Sequence, residues 1–241
     1  MVNVKLMTEQ VINSQDVSLS ENPYYKKWRI LQTVLEMVEQ RGLSTTDTNW
    51  ACNQSSMCNC SNPPTVQMFL DCQVDSFNVT AVNDNSKFFV HCLKPTQKKK
   101  IPSESVTDIL QMLPVRKYTN LILVIPGDPS PNISKMLYEF SKCTKIRVEL
   151  FRNIELMFNV TKHDYVPKHE KISFNERTQL LNRLKITPDK LMLISPLDPV
   201  CRFYGFSSGN IIKITRLSET SEKYVVYKLV KKVSLDCKST V

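Results

Sequence analysis

The chain reads as an α/β domain followed by a small α+β module, and three observations lead there. A fully apolar strand-length run, Leu121 to Ile125, is followed by a helix-period segment carrying Ile133, Met136, Leu137 and Phe140, and then by a second strand, Ile146 to Phe151. Strand, helix, strand is the pattern of a βαβ unit whose sheet is covered on both faces. After Pro167 the texture changes to short elements separated by capping and turn residues. The 241 residues are enough for one large domain or two small ones.

Residues 1–22 read as a flexible polar tail. Asn22-Pro23 then supplies an N-cap and a first-turn proline, opening a helix to about Arg41 with Trp28, Leu31, Leu35 and Val38 on its apolar stripe and Gly42 as its stop. From about 43 to 64 the sequence dissolves into Ser, Thr, Asn and Cys, and an irregular insert is expected. Alternation at Val66, Met68 and Leu70, and again at Val74, Phe77, Val79 and Val82, predicts strands. Lys87 to Leu93 reads as another strand. Lys98-Lys99-Lys100 lies in a basic turn, and Val106, Ile109, Leu110 and Leu113 follow helical spacing. A short amphipathic helix to about Phe158 closes this domain, with the boundary near Thr161 to Pro167.

In the C-terminal module, Ser173-x-x-Glu176 is a capping box ahead of a helix with Leu180, Leu181 and Leu184. Thr187-Pro188 starts a helical turn. Asp198-Pro199 is read as the start of a strand running through Tyr204, since proline cannot donate to a ladder. Gly205 and Gly209 mark turns that use positive φ. Ile211 to Thr215 and Tyr224 to Val230 are β-rich. Val200, Ile212, Ile214, Val225 and Tyr227 are expected to pack inward.

Composition excludes several classes. Apolar residues are 41% and charged residues 23%, which is globular rather than disordered. With 4 glycines there is almost no material for Gly-rich phosphate cradles. No apolar run reaches the about 18 residues of a spanning helix, and the N-terminus lacks a secretory apolar core, so a soluble intracellular protein with no membrane partner is expected. Reduced thiols are therefore expected for the 8 cysteines, and the sequons at Asn53, Asn59, Asn78, Asn132 and Asn159 carry little weight. The formal charge of +9 is uneven: residues 1–160 hold 17 Lys/Arg against 15 Asp/Glu, and residues 161–241 hold 15 against 8. A basic C-terminal third suits nucleic acid, an acidic partner or a larger assembly, as well as an ordinary solvated face.

Four blocks in that third carry a resemblance. Val166-Pro167-Lys168-His169, Asp198-Pro199-Val200-Cys201-Arg202-Phe203-Tyr204-Gly205, Gly209-Asn210-Ile211-Ile212-Lys213-Ile214, and Arg216 with Ser218-Glu219-Thr220 and Tyr224 to Lys228 keep an order and spacing. These resemble the fifth subunit of eukaryotic nuclear RNA polymerases, whose archaeal counterpart consists of this domain alone. Trp28-Arg29-Ile30 with Arg41-Gly42, Leu121 to Ile125 with Asp128-Pro129-Ser130, and Asn159-Val160-Thr161-Lys162-His163 are similar to the family's N-terminal half.

The resemblance implies a nuclease-like but non-catalytic N-terminal jaw domain over 23–162, an assembly domain over 163–232 and a tail over 233–241. It implies a polymerase component without an active site or cofactor, whose C-terminal domain anchors to the largest polymerase subunit among others. The jaw is implied to touch downstream double-stranded DNA through a loop with Pro129, Ser130 and Asn132, and Lys135 one turn on. Backbone amides, a hydroxyl and a helix N-terminus bind phosphate without reading sequence. Arg202, Tyr204, Lys213, Arg216, Glu219 and Tyr227 are the candidate subunit contacts, arginine being suited to bidentate contact with carboxylates or carbonyls.

Enzymatic readings fit poorly. A metal-dependent nuclease needs an acid plus an Asp/Glu-x-Lys on a strand. The only Asp/Glu-x-Lys is Asp236-Cys237-Lys238 in the tail, and the strand candidate Glu149-Leu150-Phe151 lacks the lysine. Cys52, Cys58, Cys60 and Cys72, with His91 and Cys92, have the wrong spacing for paired zinc knuckles. His163 and His169 read as hydrogen-bonded hinge residues. No small-molecule substrate is expected, and the location follows from partnership: the nucleus, or a cytoplasmic viral factory for a virus-encoded form. The alternative function is a free-standing adaptor that kept the assembly domain.

Overall fold

A computed structural model describes residues 22–52, 58–60, 66–83, 86–94, 103–112, 117–218 and 222–231. The expected tails, the Lys98-Lys99-Lys100 turn and Glu219 lie outside these. The chain divides into two compact units, Met1–Phe158 and Asn159–Val241. The division falls ahead of residue 163 because the 3-10 turn Val160–Lys162 packs on the helix at Pro199–Tyr204. Among the described residues no helix is long and apolar enough to cross a membrane.

The first unit opens with α1 (Pro23–Gln40), capped by Asn22, whose side chain accepts from the Tyr24 N–H at 2.9 Å. Strands β1 (Ser44–Cys52), β2 (Cys58–Cys60), β3 (Val74–Asn83), β4 (Ser86–Cys92), β5 (Asn120–Ile125) and β6 (Arg147–Arg152) form one sheet in the order β2-β1-β3-β4-β5-β6. The β2 to β4 half is antiparallel, and β4, β5 and β6 run parallel. Helices α2 (Val66–Asp71), α3 (Ser103–Met112) and α4 (Pro131–Thr144) complete it. Leu121, Leu123 and Ile125 pack with Val106 and Leu110 of α3 and Ile133 and Leu137 of α4. Ile122 and Val124, equally buried, face the other side by strand alternation. On that side Arg41, just after α1, reaches Glu149, which stands opposite Ile122.

Two expectations fail here. Residues 44–52 and 58–60 are strands, not an irregular insert. Ser44, Thr45, Thr46 and Asp47 are exposed, so no apolar alternation marks β1. β-Branched threonines and pairing with β3 from Ser44↔Val82 to Cys52↔Val74 hold it. Residues 66–71 are helix rather than strand, because Val66, Phe69 and Leu70 also fit helical spacing and Phe69 is fully buried.

The second unit is a four-stranded sheet, β7 (Lys168–Lys171), β8 (Met192–Ile194), β9 (Ile211–Ser218) and β10 (Glu222–Val230), in the order β7-β9-β10-β8. Helix α5 (Phe174–Leu184) starts with the reciprocal capping box: Ser173 N–H donates to Glu176 at 2.8 Å and Glu176 N–H to Ser173 Oγ at 3.3 Å. Its Leu180 packs with Ile211 and Leu229 on one face of the sheet. Helix α6 (Pro199–Tyr204) packs Cys201 against Ile212, Ile214 and Val230 on the other.

That α6 is a helix corrects the strand expected at 199–204. Asp198 Oδ1 accepts from Val200 and Cys201 N–H at 3.0 and 3.4 Å, Pro199 occupies the first turn, and Gly205 closes the helix at φ 70°. The signals for an N-cap, a first-position proline and a left-handed stop were all in the sequence. Val225 is also corrected: it is 38% exposed, not inward, because neither helix reaches the far end of β10.

Candidate functional site

The parallel strands β4, β5 and β6 share one carboxyl end, where open α/β sheets present their ligand crevice. The loop 126–130 leaves β5 there and turns directly into α4. Ser130 caps α4, its Oγ accepting from the Ile133 N–H at 3.4 Å, which leaves the hydroxyl hydrogen able to donate. Pro129 is half-buried, and Asn132 and Lys135 are exposed on the first turns of a 14-residue helix. The four expected nucleic-acid contacts are thus brought together at one helix start.

From the sequence, Asp128 stands as a repulsive charge at this loop. The structure pairs it with Arg152: guanidinium Nη1 lies 3.0 Å from Asp128 Oδ1, while Nε lies 3.0 Å from Glu155 Oε1. Arg152 thus bridges the end of β6 to the loop beside it, and because its one charge is shared between two carboxylates the three side chains together keep one negative charge. Sequence inspection missed this residue. Only the register, which sets Ile125 opposite Arg152, brings it to the loop.

Deeper in β6, Glu149 holds the strand position that a nuclease would give to a metal-binding acid. Its two oxygens are taken by Arg41 at 2.8 Å and Arg147 at 3.0 Å, with Arg41 only 5% exposed. Arg41 also stands 5.9 Å from the Phe88 ring centroid. The acid is used to fasten the end of α1 to the sheet.

Of the cysteine and histidine candidates, His91 and Cys92 lie next to each other on β4 and face opposite ways. His91 Nδ1 donates to Asn78 Oδ1, and its ring stacks on Phe89, on the α3 and α4 side. Burial lowers its pKa to about 4. Cys92 points the opposite way by strand alternation and is fully buried, its thiol pushed up to about 12. Among the described residues no group of three or more His, Cys, Asp or Glu side chains could hold a metal ion.

The five described candidate subunit contacts, Glu219 lying outside the described residues, do not form one patch. Lys213 stands opposite Tyr227 in the β9–β10 register, and both line a cleft of about 280 Å³ with Glu176, Gln179 and Arg183 of α5. Arg216, exposed, is on the α6 face with Ile212 and Ile214 by alternation. Arg202 and Tyr204 lie on α6 itself and are half-buried. Tyr204 stacks on Phe206 at 5.2 Å and also bonds to Thr161, which makes it as much a packing residue as a contact. The two histidines near the unit boundary are hydrogen-bonded: His163 Nδ1 accepts from Tyr165 N–H at 3.3 Å, and His169 Nδ1 meets the Pro167 carbonyl at 2.6 Å.

Among known proteins, the family described as RNA polymerase Rpb5, C-terminal domain, matches residues 158–230. The Dictyostelium discoideum DNA-directed RNA polymerases I, II, and III subunit rpabc1 is 37% identical over 131 residues, covering 53% of this chain and 66% of the relative. The Caenorhabditis elegans subunit RPABC1 is 30% identical over 207 residues, 86% of this chain and 96% of the relative. An Arabidopsis thaliana protein named DNA-directed RNA polymerases IV and V subunit 5B is 28% identical over 228 residues, covering 92% and 97%. The similarity thus runs through both units as well as the four blocks of the second, and the chain belongs to the Rpb5 family.

Proposed function

We propose that the chain is a non-catalytic subunit of a multisubunit DNA-directed RNA polymerase. The carrying observation is the match over 96% of the length of a relative named as such a subunit. The second unit is the anchor to the other subunits, the largest among them. It offers two cation-bearing faces: Lys213 beside Tyr227, and Arg216 on the α6 side. Charge-assisted contacts of arginine with carboxylates or carbonyls suit a permanent interface of that kind.

The first unit is the jaw and meets downstream duplex DNA at the start of α4. Two things support this: the helix N-terminus, and the Ser130 hydroxyl with Asn132 and Lys135. Contacts of this type position a duplex without reading its sequence. The chain carries no active site of its own. The engagement of Glu149 by two arginines supports this, because a metal would have to displace both. The site of action is the nucleus.

Affinity purification of the tagged full chain tests the proposal. The large catalytic polymerase subunits are expected at near-equal stoichiometry, and their absence would establish the adaptor reading instead. Charge reversal of Arg202 with Arg216 should reduce that yield; undiminished yield would remove this face from the interface. In the assembled enzyme, Lys135→Gln should weaken duplex binding across sequences and lower the salt-dependence slope by about one.

A further inference from the structure

The sheet of the second unit ends on two strands of opposite character. One outer strand, β7, reads Lys168-His169-Glu170-Lys171, with Lys168 Nζ 2.6 Å from Glu170 Oε1. Charged side chains of this kind are how proteins keep an exposed edge from pairing with other chains. The other outer strand, β8, reads Met192-Leu193-Ile194 and has no charge or proline. Met192 is 65% exposed and Leu193 45%. The turn that follows, closed by Asp198 N–H to Ser195 carbonyl at 3.1 Å, adds Leu197 at 74% exposure.

The main chain of β8 is ready for a partner. Ile194 carbonyl accepts from Lys231 N–H at 3.1 Å, so the peptide groups of Ile194, and of Met192 two residues back, face β10. Those of Leu193 then face the open edge. Around this edge the charges are basic. Lys190 precedes the strand, Lys228 is level with Met192, and Lys231 lies past its end, against two acids, Asp189, bonded to Lys231 at 3.0 Å, and Asp198, whose carboxylate caps α6.

We propose that β8 is a strand-addition site. An extended segment of another polymerase subunit, apolar in its middle and acidic at its flanks, pairs with the N–H and C=O of Leu193 and covers Met192 and Leu197. Main-chain bonds supply affinity in such contacts, and the alternating side chains supply selectivity. The basic rim selects the acidic flanks over a basic or neutral strand. The inference rests on the polymerase-subunit reading and adds to it the place and mode of one subunit contact.

The test uses the full chain in the assembled complex. A benzoylphenylalanine placed at position 192 should cross-link, on illumination, to one peptide of another polymerase subunit with apolar residues flanked by Asp or Glu. Cross-linking to a second copy of this chain, to DNA or to nothing overturns the proposal. In parallel, Met192→Lys gives β8 the charge that β7 carries, and Leu193→Pro removes an outward donor while leaving the bonds to β10. Each should lower co-purification of the other subunits by about tenfold or more, with Lys171→Gln on β7 as the unaffected control. Parental yield from both variants overturns the proposal. If Leu193→Pro melts the unit, Met192→Lys alone decides, being on an exposed position. A parent chain that brings down no polymerase subunit would instead overturn the polymerase reading itself.

Discussion

Replacing Arg41 by methionine removes the more buried partner of Glu149. Arg41 is 5% and Glu149 13% exposed, with 2.8 Å between them. Removing one side of a buried pair typically costs about 3–5 kcal/mol, because the remaining charge is left desolvated. Arg147 still reaches Glu149 at 3.0 Å, but it is 45% exposed and contributes as a surface pair, about 0–1 kcal/mol. The loss expected is therefore about 2–5 kcal/mol, which for a domain of this size lowers the melting temperature by about 4–20 °C. Thermal melting of the full chain followed by circular dichroism reads it, as a shift of the transition of the first unit alone. The double variant Arg41→Met with Glu149→Met should recover much of the loss, since no charge then stays buried. A single variant that melts with the parent, or a double variant worse than the sum of the singles, would refute this reasoning.

Asp198→Ala takes the acceptor from two N–H groups at the start of α6, and a loss of about 1 kcal/mol is expected in the melting of the second unit. Asp198→Asn should recover most of it. His91 is held neutral, with a pKa of about 4 against 6.5 unfolded. The unfolded chain binds the extra proton between those values, so stability should fall as pH drops from 6.5 toward 4, and His91→Gln should flatten that part of the curve. The fully buried Cys92 and Cys201, both pushed up to about 12, should resist a thiol reagent at pH 8 in the folded chain, while exposed Cys143 reacts at once. Fast modification of Cys92 or Cys201 in native protein would contradict their burial.

How far the sequence carried depends on the kind of signal each element uses. Helix α1 and strand β5 were legible because their apolar period and their ends agree: Asn22-Pro23 starts one, and five buried residues from Leu121 to Ile125 make the other. Strand β1 was not, since a strand held by main-chain pairing to β2 and β3, with exposed threonines at its start, leaves no hydrophobic trace. Helix α6 spans only 6 residues, too few for a period to show, so its cap had to be believed over its apolar run. The loop at α4 was found as a stretch of sequence, yet the pairing of Asp128 with Arg152 needed the β5–β6 register. In the second unit the same holds for Lys213 and Arg216. They are three residues apart on one strand and therefore on opposite faces, a division that is invisible until it is known which face each helix covers.

The membership of this chain in a polymerase is the centre of the account, and sedimentation of the untagged cellular pool tests it most directly. Gradient fractions probed for this chain and for the largest polymerase subunit should show the two travelling together at one-to-one stoichiometry. A pool that sediments as a free small protein, with the polymerase peak empty of it, would contradict the account.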